Sequence, residues 1–358
     1  MALILCKSSC LVMTMLFSLV TNHMGSSNTQ EARLETIQAF LLLVAIGTWA
    51  SRTLLRESLT VRSWLVLLVQ EAGLTNPDTS NPELNWEDWI KAESEKRTKC
   101  LTYCFFNLHC IAYDIPPLIV SSQVHISLPQ TAKEWKATTA WEWAEIRRQN
   151  PPAEIKFFDA LTRLFAKPGS VLQKPLPVTS SLGNYMLITA ISQQIFLLRQ
   201  TSAVSIPGIA TNGLPPSDIE DISDALKAWQ ASWERTPESS LDPTGPNGPV
   251  AFNSTALLRF AYIRLHSDLG PSRFLETRDP VRIAQAFKDY PPVTRSPRIC
   301  RAVLQAAHAL SIPIKIGIAF VARTQTFSWS IQHSLCNLEC AFLLSMWSSF
   351  FPQCLAPF

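Results

Sequence analysis

The sequence predicts an all-α protein, a bundle of about ten to fourteen helices, from three observations. Apolar residues recur at helical spacing in segment after segment, and no segment shows the period-two alternation of a half-buried strand. The chain is 47% hydrophobic with 18 Phe and 11 Trp, enough for a large core, while only 16% is charged. Glycine is scarce, 11 in 358 residues, and no GxGxxG, GxxxxGK[ST] or GxSxG stretch appears. That excludes the usual Gly-rich phosphate loops and the hydrolase nucleophile elbow. A net charge of +3 is too small to build a nucleic-acid surface by itself.

Residues 11–20 form an apolar run behind Lys7. It resembles the apolar part of a secretory signal, but Thr21-Asn22-His23-Met24 offers no small-residue cleavage pattern. Residues 1–30 are therefore set apart as an apolar N-terminal segment, and 31–350 as the helical body. A second apolar run, 39–50, is shorter than the 18 or so residues that cross a bilayer. Both runs read as buried helices, with no membrane partner. Within 31–50, Leu34, Ile37, Phe40, Leu41 and Val44 share a face. A helix over 52–72 follows, with Leu55, Leu59, Trp64, Leu65 and Leu68 as its apolar side and Gly73 as its stop. Residues 76–85 are a polar loop.

The stretch 93–129 is the centre of the design. It opens on Glu93, Glu95, Lys96, Arg97 and Lys99 and turns apolar nearly all round from Cys100 to Tyr113. Such a helix must enter a core. Pro116 and Pro117 cannot continue it, and an extended segment to Pro129 follows. A further helix is expected over 131–150, with Thr131 and Glu134 at capping-box spacing and Trp135, Trp141 and Trp143 as core or interface anchors. An amphipathic helix over 153–166 uses Ile155, Phe158, Leu161, Leu164 and Phe165. Helices over 183–199 and 217–234 lead to the Pro- and Gly-rich stretch 236–250, the clearest linker, joining two halves of one unit. Helices over 251–269, 279–287 and 298–309 follow, and Pro313 is expected to interrupt or kink the chain before 318–347.

Three separated motifs carry a resemblance. The first is Leu34-Glu35-Thr36-Ile37-Gln38-Ala39 with Leu41–Leu43, Ala45, Gly47-Thr48-Trp49 and Leu54-Leu55-Arg56-Glu57. The second is Arg97-Thr98-Lys99 with Cys104-Phe105, Asn107-Leu108-His109, Ile111, Tyr113, Ile115-Pro116-Pro117-Leu118-Ile119, Ser122 and Leu128-Pro129. The third is Ala322-Arg323-Thr324-Gln325, Trp329–Gln332, Leu335-Cys336-Asn337 and Glu339-Cys340. In this order they resemble the fungal-specific transcription factor regulatory domain, in the branch found behind C2H2 zinc fingers. The resemblance implies a nuclear, helical regulator of RNA polymerase II genes, with other transcription proteins as partners and a pathway-specific role in a secondary-metabolite gene cluster as an expectation. That branch carries its zinc fingers ahead of this domain. The nine cysteines here include no CxxC pair, so DNA contact is expected only through an upstream module that these residues do not contain. Most of the nine lie in apolar helical stretches and read as reduced, buried thiols.

Several clusters are candidate sites. Lys96, Arg97 and Lys99 are too few for an import or phosphate patch and read as solvated first turns of a buried helix. His109 with Cys104 and Cys110, and His333 with Cys336 and Cys340, are metal candidates, but the second set is strung over two turns of one helix and lacks a fourth ligand. Asp218, Glu220, Asp221 and Asp224 resemble the magnesium-holding face of all-α terpene cyclases, yet acids at a helix start are explained by the dipole. The expectation is therefore a non-enzyme with no catalytic, cofactor-binding or metal residue and no cofactor. The alternative is an all-α enzyme acting on a small apolar ligand; a secreted or membrane-associated helical protein comes third.

Overall fold

The computed structural model describes residues 30–50, 52–76, 85–151, 154–167, 169–170, 175–202, 214–242, 245, 248–267, 274–290, 299–324 and 330–348. The apolar run 11–20, and Gln325 and Trp329 of the third motif, lie outside them. Among the described residues the backbone forms thirteen α-helices and two short 3-10 turns, with β pairing limited to isolated bridges. The protein is all-α. It packs as two compact units: one runs to Ile126 and takes in Phe274–Gln285, and the other holds Ser127–Arg273 and the chain from Ala286 on.

In the first unit α1 (Gln30–Ala50) packs along α2 (Arg52–Glu71) and against α3 (Trp86–Tyr113). Ile37, Phe40 and Val44 of α1 and Leu55, Leu65 and Val69 of α2 are buried. Trp64, expected on the apolar side of α2, is 54% exposed, because it sits one position off the buried Leu65 and Val69 row. Gly73 takes φ +76 just past α2, a turn that a side chain would strain. α1 extends well ahead of its apolar run. Glu31–Trp49 and, in the second unit, Ile299–Ile316 are long and apolar enough by length and composition to cross a membrane, a test that core helices of soluble proteins also pass.

α3 starts where Asn85 accepts from the Asp88 amide, 2.8 Å. It ends at Tyr113, three positions before Pro116, the first of the prolines expected to stop it. Asp114 adopts a left-handed conformation, φ 54, and its amide caps the Cys110 carbonyl at 3.1 Å. Short polar side chains tolerate that region best after glycine. Cys100, Tyr103, Cys104, Phe106, Leu108 and Ile111 are buried. The helix is not buried all round: Leu101 is 43% exposed and Phe105 half-buried.

In the second unit the helix expected over 131–150 is two helices, α4 (Ala132–Trp135) and α5 (Ala140–Gln149). Thr131 and Thr139 each cap an amide three residues on, at 3.3 Å and 3.1 Å, so the second cap restarts the helix inside the expected span. Trp141, expected as a core or interface anchor, is 78% exposed. In α6 (Phe157–Leu164) Phe157, Ala160 and Leu164 face inward; Leu164 is where it was expected, whereas Phe158 faces outward, one position from the buried Phe157. α7 (Ser181–Ser202), α8 (Pro216–Arg235), α11 (Ile299–Ile316) and α13 (Ile331–Ser348) all pack on α9 (Val250–His266). Nearly every residue of α9 from Ala251 to Leu265 is buried, so it is the central helix of this unit. α11 passes through the buried Pro313 and stops only at Gly317, φ +102, whose amide bonds the Pro313 carbonyl. The proline stands in the last turn, where its missing donor costs one bond and the helix ends anyway. α10 (Pro280–Lys288) and α12 (Ile318–Thr324) complete the described helices.

Truncating a fully buried ring on α3 should separate its two faces. Phe106→Ala is expected to lower stability by about 3–5 kcal/mol, and Leu101→Ala by under about 1 kcal/mol. Urea unfolding followed by circular dichroism reads both; similar losses would contradict the burial pattern.

Candidate functional site

The charged start of α3 is inside the first unit and not on its surface. Glu93 is 1% exposed and takes Lys96 at 3.0 Å and Arg97 at 2.8 Å. Lys99 is 3% exposed, bonded to Glu95 at 2.6 Å and donating to the carbonyls of Ala72 (3.3 Å) and Thr75 (3.2 Å) just beyond α2. The solvated reading of Lys96, Arg97 and Lys99 is thus corrected. These cations are committed to carboxylates and a helix end, because burying an unpaired charge is prohibitive.

His109 lies farther along α3 in an aromatic nest. Its ring centroid is 4.5 Å from Phe105, and Trp49 stacks on Tyr113 beside it at 5.8 Å. The Thr48 hydroxyl donates to the Val44 carbonyl at 2.6 Å, so its oxygen accepts from His109 Nε2–H at 3.3 Å. Nδ1 has no hydrogen-bond partner. Burial, helped by the Arg62 charge, lowers the His109 pKa to about 3. Cys110 donates to the Phe106 carbonyl at 3.5 Å. Arg278 closes the nest, donating to the Thr48 and Trp49 carbonyls at the end of α1 and to the Tyr113 hydroxyl.

The second histidine is equally inaccessible. His333 stacks on Phe252 at 3.9 Å and donates from Nε2 to the Phe252 carbonyl at 3.1 Å. Burial, then the nearby Arg259 charge, lowers its pKa to about 3. Cys336 and Cys340 face each other with sulfurs 3.7 Å apart, and that hydrogen bond together with burial pushes the Cys336 thiol well up. Glu339 binds Arg264 of α9 through both oxygens, 2.6 and 3.2 Å. Among the described residues no group of three or more His, Cys, Asp or Glu is placed to hold a metal ion. Of the acids on α8, Asp221 pairs with Lys167 at 3.6 Å and Asp224 with Lys227 at 2.6 Å, all largely exposed.

A buried polar cluster of the second unit has no local signature in the sequence. Glu238, in the stretch taken for a linker, is buried. Its two oxygens accept from the first amides of two helices, Ala132 of α4 at 2.6 Å and Ser181 of α7 at 2.7 Å. Beside it, Thr179 donates to Asn184 Oδ1 (2.8 Å) and Asn184 Nδ2 donates to the Thr236 hydroxyl (2.8 Å). Ser180 donates to the Pro129 carbonyl at 2.6 Å. A cavity of about 410 Å³ opens among these residues. A lone Glu in a Pro-rich loop carries no periodic signal, which is why Glu238 escaped notice; Arg278 escaped for the same reason.

Residues 17–231 match the family model described as the fungal specific transcription factor domain, and residues 268–353 match the fungal transcription factor C-terminal domain. The first match alone covers more than half of the 358 residues, and the chain belongs to the fungal-specific transcription factor domain family. The first two sequence motifs fall in the larger match and the third in the C-terminal one. Neither match is to a DNA-binding module. Neither the curated proteins nor the solved structures yield a match. The family is regulatory and not enzymatic, so the chain is a transcriptional regulator by membership.

The two histidines set a pH dependence. Each has a folded pKa below its ordinary value of 6.5, so the unfolded chain binds the proton first. Their contribution is level above about pH 6.5 and stability falls as pH drops from there toward 3. From pH 7 to 5 each is expected to cost roughly 2 kcal/mol. His109→Gln should flatten about half of that slope in urea titrations at several pH values; an unchanged slope would exclude it as a source.

Glu238→Ala leaves two helix starts without their acceptor. It is expected to lower the urea midpoint by the equivalent of about 1–3 kcal/mol, against under about 0.5 kcal/mol for the exposed Glu234→Ala.

Proposed function

We propose that this chain is the regulatory part of a nuclear regulator of RNA polymerase II genes, working through other transcription proteins. The observation that carries the reading is the pair of family matches in chain order, over the same segments as the three motifs. DNA contact is assigned to a zinc-finger module of the C2H2 type on the same or a partner polypeptide, and the controlled genes to a secondary-metabolite cluster. The physical character of the helical body agrees with a regulatory role. Its buried histidines are held neutral at pH 7 and Cys336 is held as a thiol, so these groups serve packing and not turnover.

The test joins the whole chain to a heterologous DNA-binding module upstream of a reporter in a filamentous fungus. The expected result is a fluorescent fusion concentrated in nuclei and a reporter transcript changed at least several-fold, up or down. A nuclear fusion that leaves the reporter unchanged would contradict the regulatory reading. An excluded fusion would contradict the nuclear assignment.

A further inference from the structure

The cavity beside Glu238 lies wholly within the second unit, and its volume of about 410 Å³ falls in the range of ligand pockets, about 300–1,000 Å³. What it can hold depends on which wall groups still have a hydrogen bond to offer. Five polar side chains on the wall are buried: Glu134, Thr179, Ser180, Thr236 and Glu238. Four of them are engaged at points already on the wall. Glu238 accepts from the Ala132 amide with one oxygen and from the Ser181 amide with the other. Thr179 donates to Asn184 and Ser180 to the Pro129 carbonyl. Thr236 donates to the Ser232 carbonyl and accepts from Asn184. The fifth, Glu134, has its partner elsewhere, and its Oε2 is enclosed by the protein. Lys133 and Asn150 also line the cavity, but both are exposed, at its mouth, where water competes for them. The inner wall is therefore left to Leu128, Ile146 and Ile155. An ion entering this space gives up its hydration and finds no buried group free to replace it. A hydrocarbon body loses only unfavourable contact with water.

From this we infer that the second unit holds a binding site for a compact, uncharged, mostly hydrocarbon molecule, its body against Leu128, Ile146 and Ile155 and any hydroxyl or carbonyl turned to the mouth beside Asn150. Val178, half-exposed at 52%, stands at the rim. The inference goes beyond the regulatory reading and does not depend on it, since occupancy is read by binding and not by transcription.

Three cage compounds of one shape and different charge test it on the full chain at pH 7.5: adamantanol, adamantylammonium and adamantanecarboxylate. The expected result is a saturable rise in Tm of about 2 °C or more with the alcohol, and less than half of that rise with either ion. Val178→Trp, a change at an exposed rim position that narrows the mouth, should abolish the response to the alcohol without altering the melting of the free protein. Saturation-transfer NMR on the wild-type chain needs no variant and should show transfer to the cage protons of the alcohol, displaced by an excess of unlabelled adamantanone, a second uncharged cage. An ion that reaches half of the alcohol's shift, an undiminished response in Val178→Trp, or absence of transfer to the alcohol would each overturn the proposal.

Discussion

A helix that ends inside a core leaves backbone amides or carbonyls with no partner along its own axis. Here charged side chains fill that role repeatedly. Lys99 takes the carbonyls just past α2, and Arg278 those at the end of α1. Arg199 reaches the Arg264 carbonyl in the last turn of α9, and Glu238 accepts the first amides of α4 and α7. The signs follow the helix dipole, cations at C-termini and the anion at N-termini. Each contact therefore combines a charge-assisted hydrogen bond with a favourable field. Lys99 and Glu238 do so while buried, Arg199 while half-buried and Arg278 from an exposed position.

The same economy explains the character of the two buried histidine sites. His109 and His333 each give one ring nitrogen to a local oxygen and sit against aromatic rings, Phe105 and Phe252. Neither is positioned as a base toward solvent, and both are neutral at ordinary pH. They act as rigid, polar-edged aromatics. That is consistent with membership of a regulatory family, in which a helical body presents surfaces and need not perform turnover.

The fold class was legible because it rests on apolar periodicity, which every long helix displays. The helical existence of α1, α2, α3, α7 and α9 follows from it directly. What periodicity could not supply was phase and pairing. Trp64 and Phe158 each lie one position from a buried neighbour, a rotation of about 100° that composition does not resolve. Lys96, Arg97 and Lys99 looked solvated because charge in sequence implies water; only their proximity to Glu93, Glu95 and the end of α2 reverses that. The family motifs were legible for another reason, namely that the Asn-Leu-His and Ile-Pro-Pro residues are a local string. Glu238 and the cavity it borders arise from three separate segments, 128–155, 178–180 and 236–238, and no local pattern links them.

Arg278 has one more consequence, for the order in which the protein is made. The first unit is discontinuous: its three long helices are complete by Tyr113, but the segment that caps α1 and closes the His109 nest begins only at Phe274. At about 5–20 residues per second, a ribosome delivers that segment roughly ten to thirty seconds after α3 has emerged. During that interval the Thr48 and Trp49 carbonyls await their guanidinium donor, and the Trp49–Tyr113 stack lacks its closing side. The returning strap is therefore the last piece of the first unit to be delivered, and its docking is a long-range event and not a local folding step.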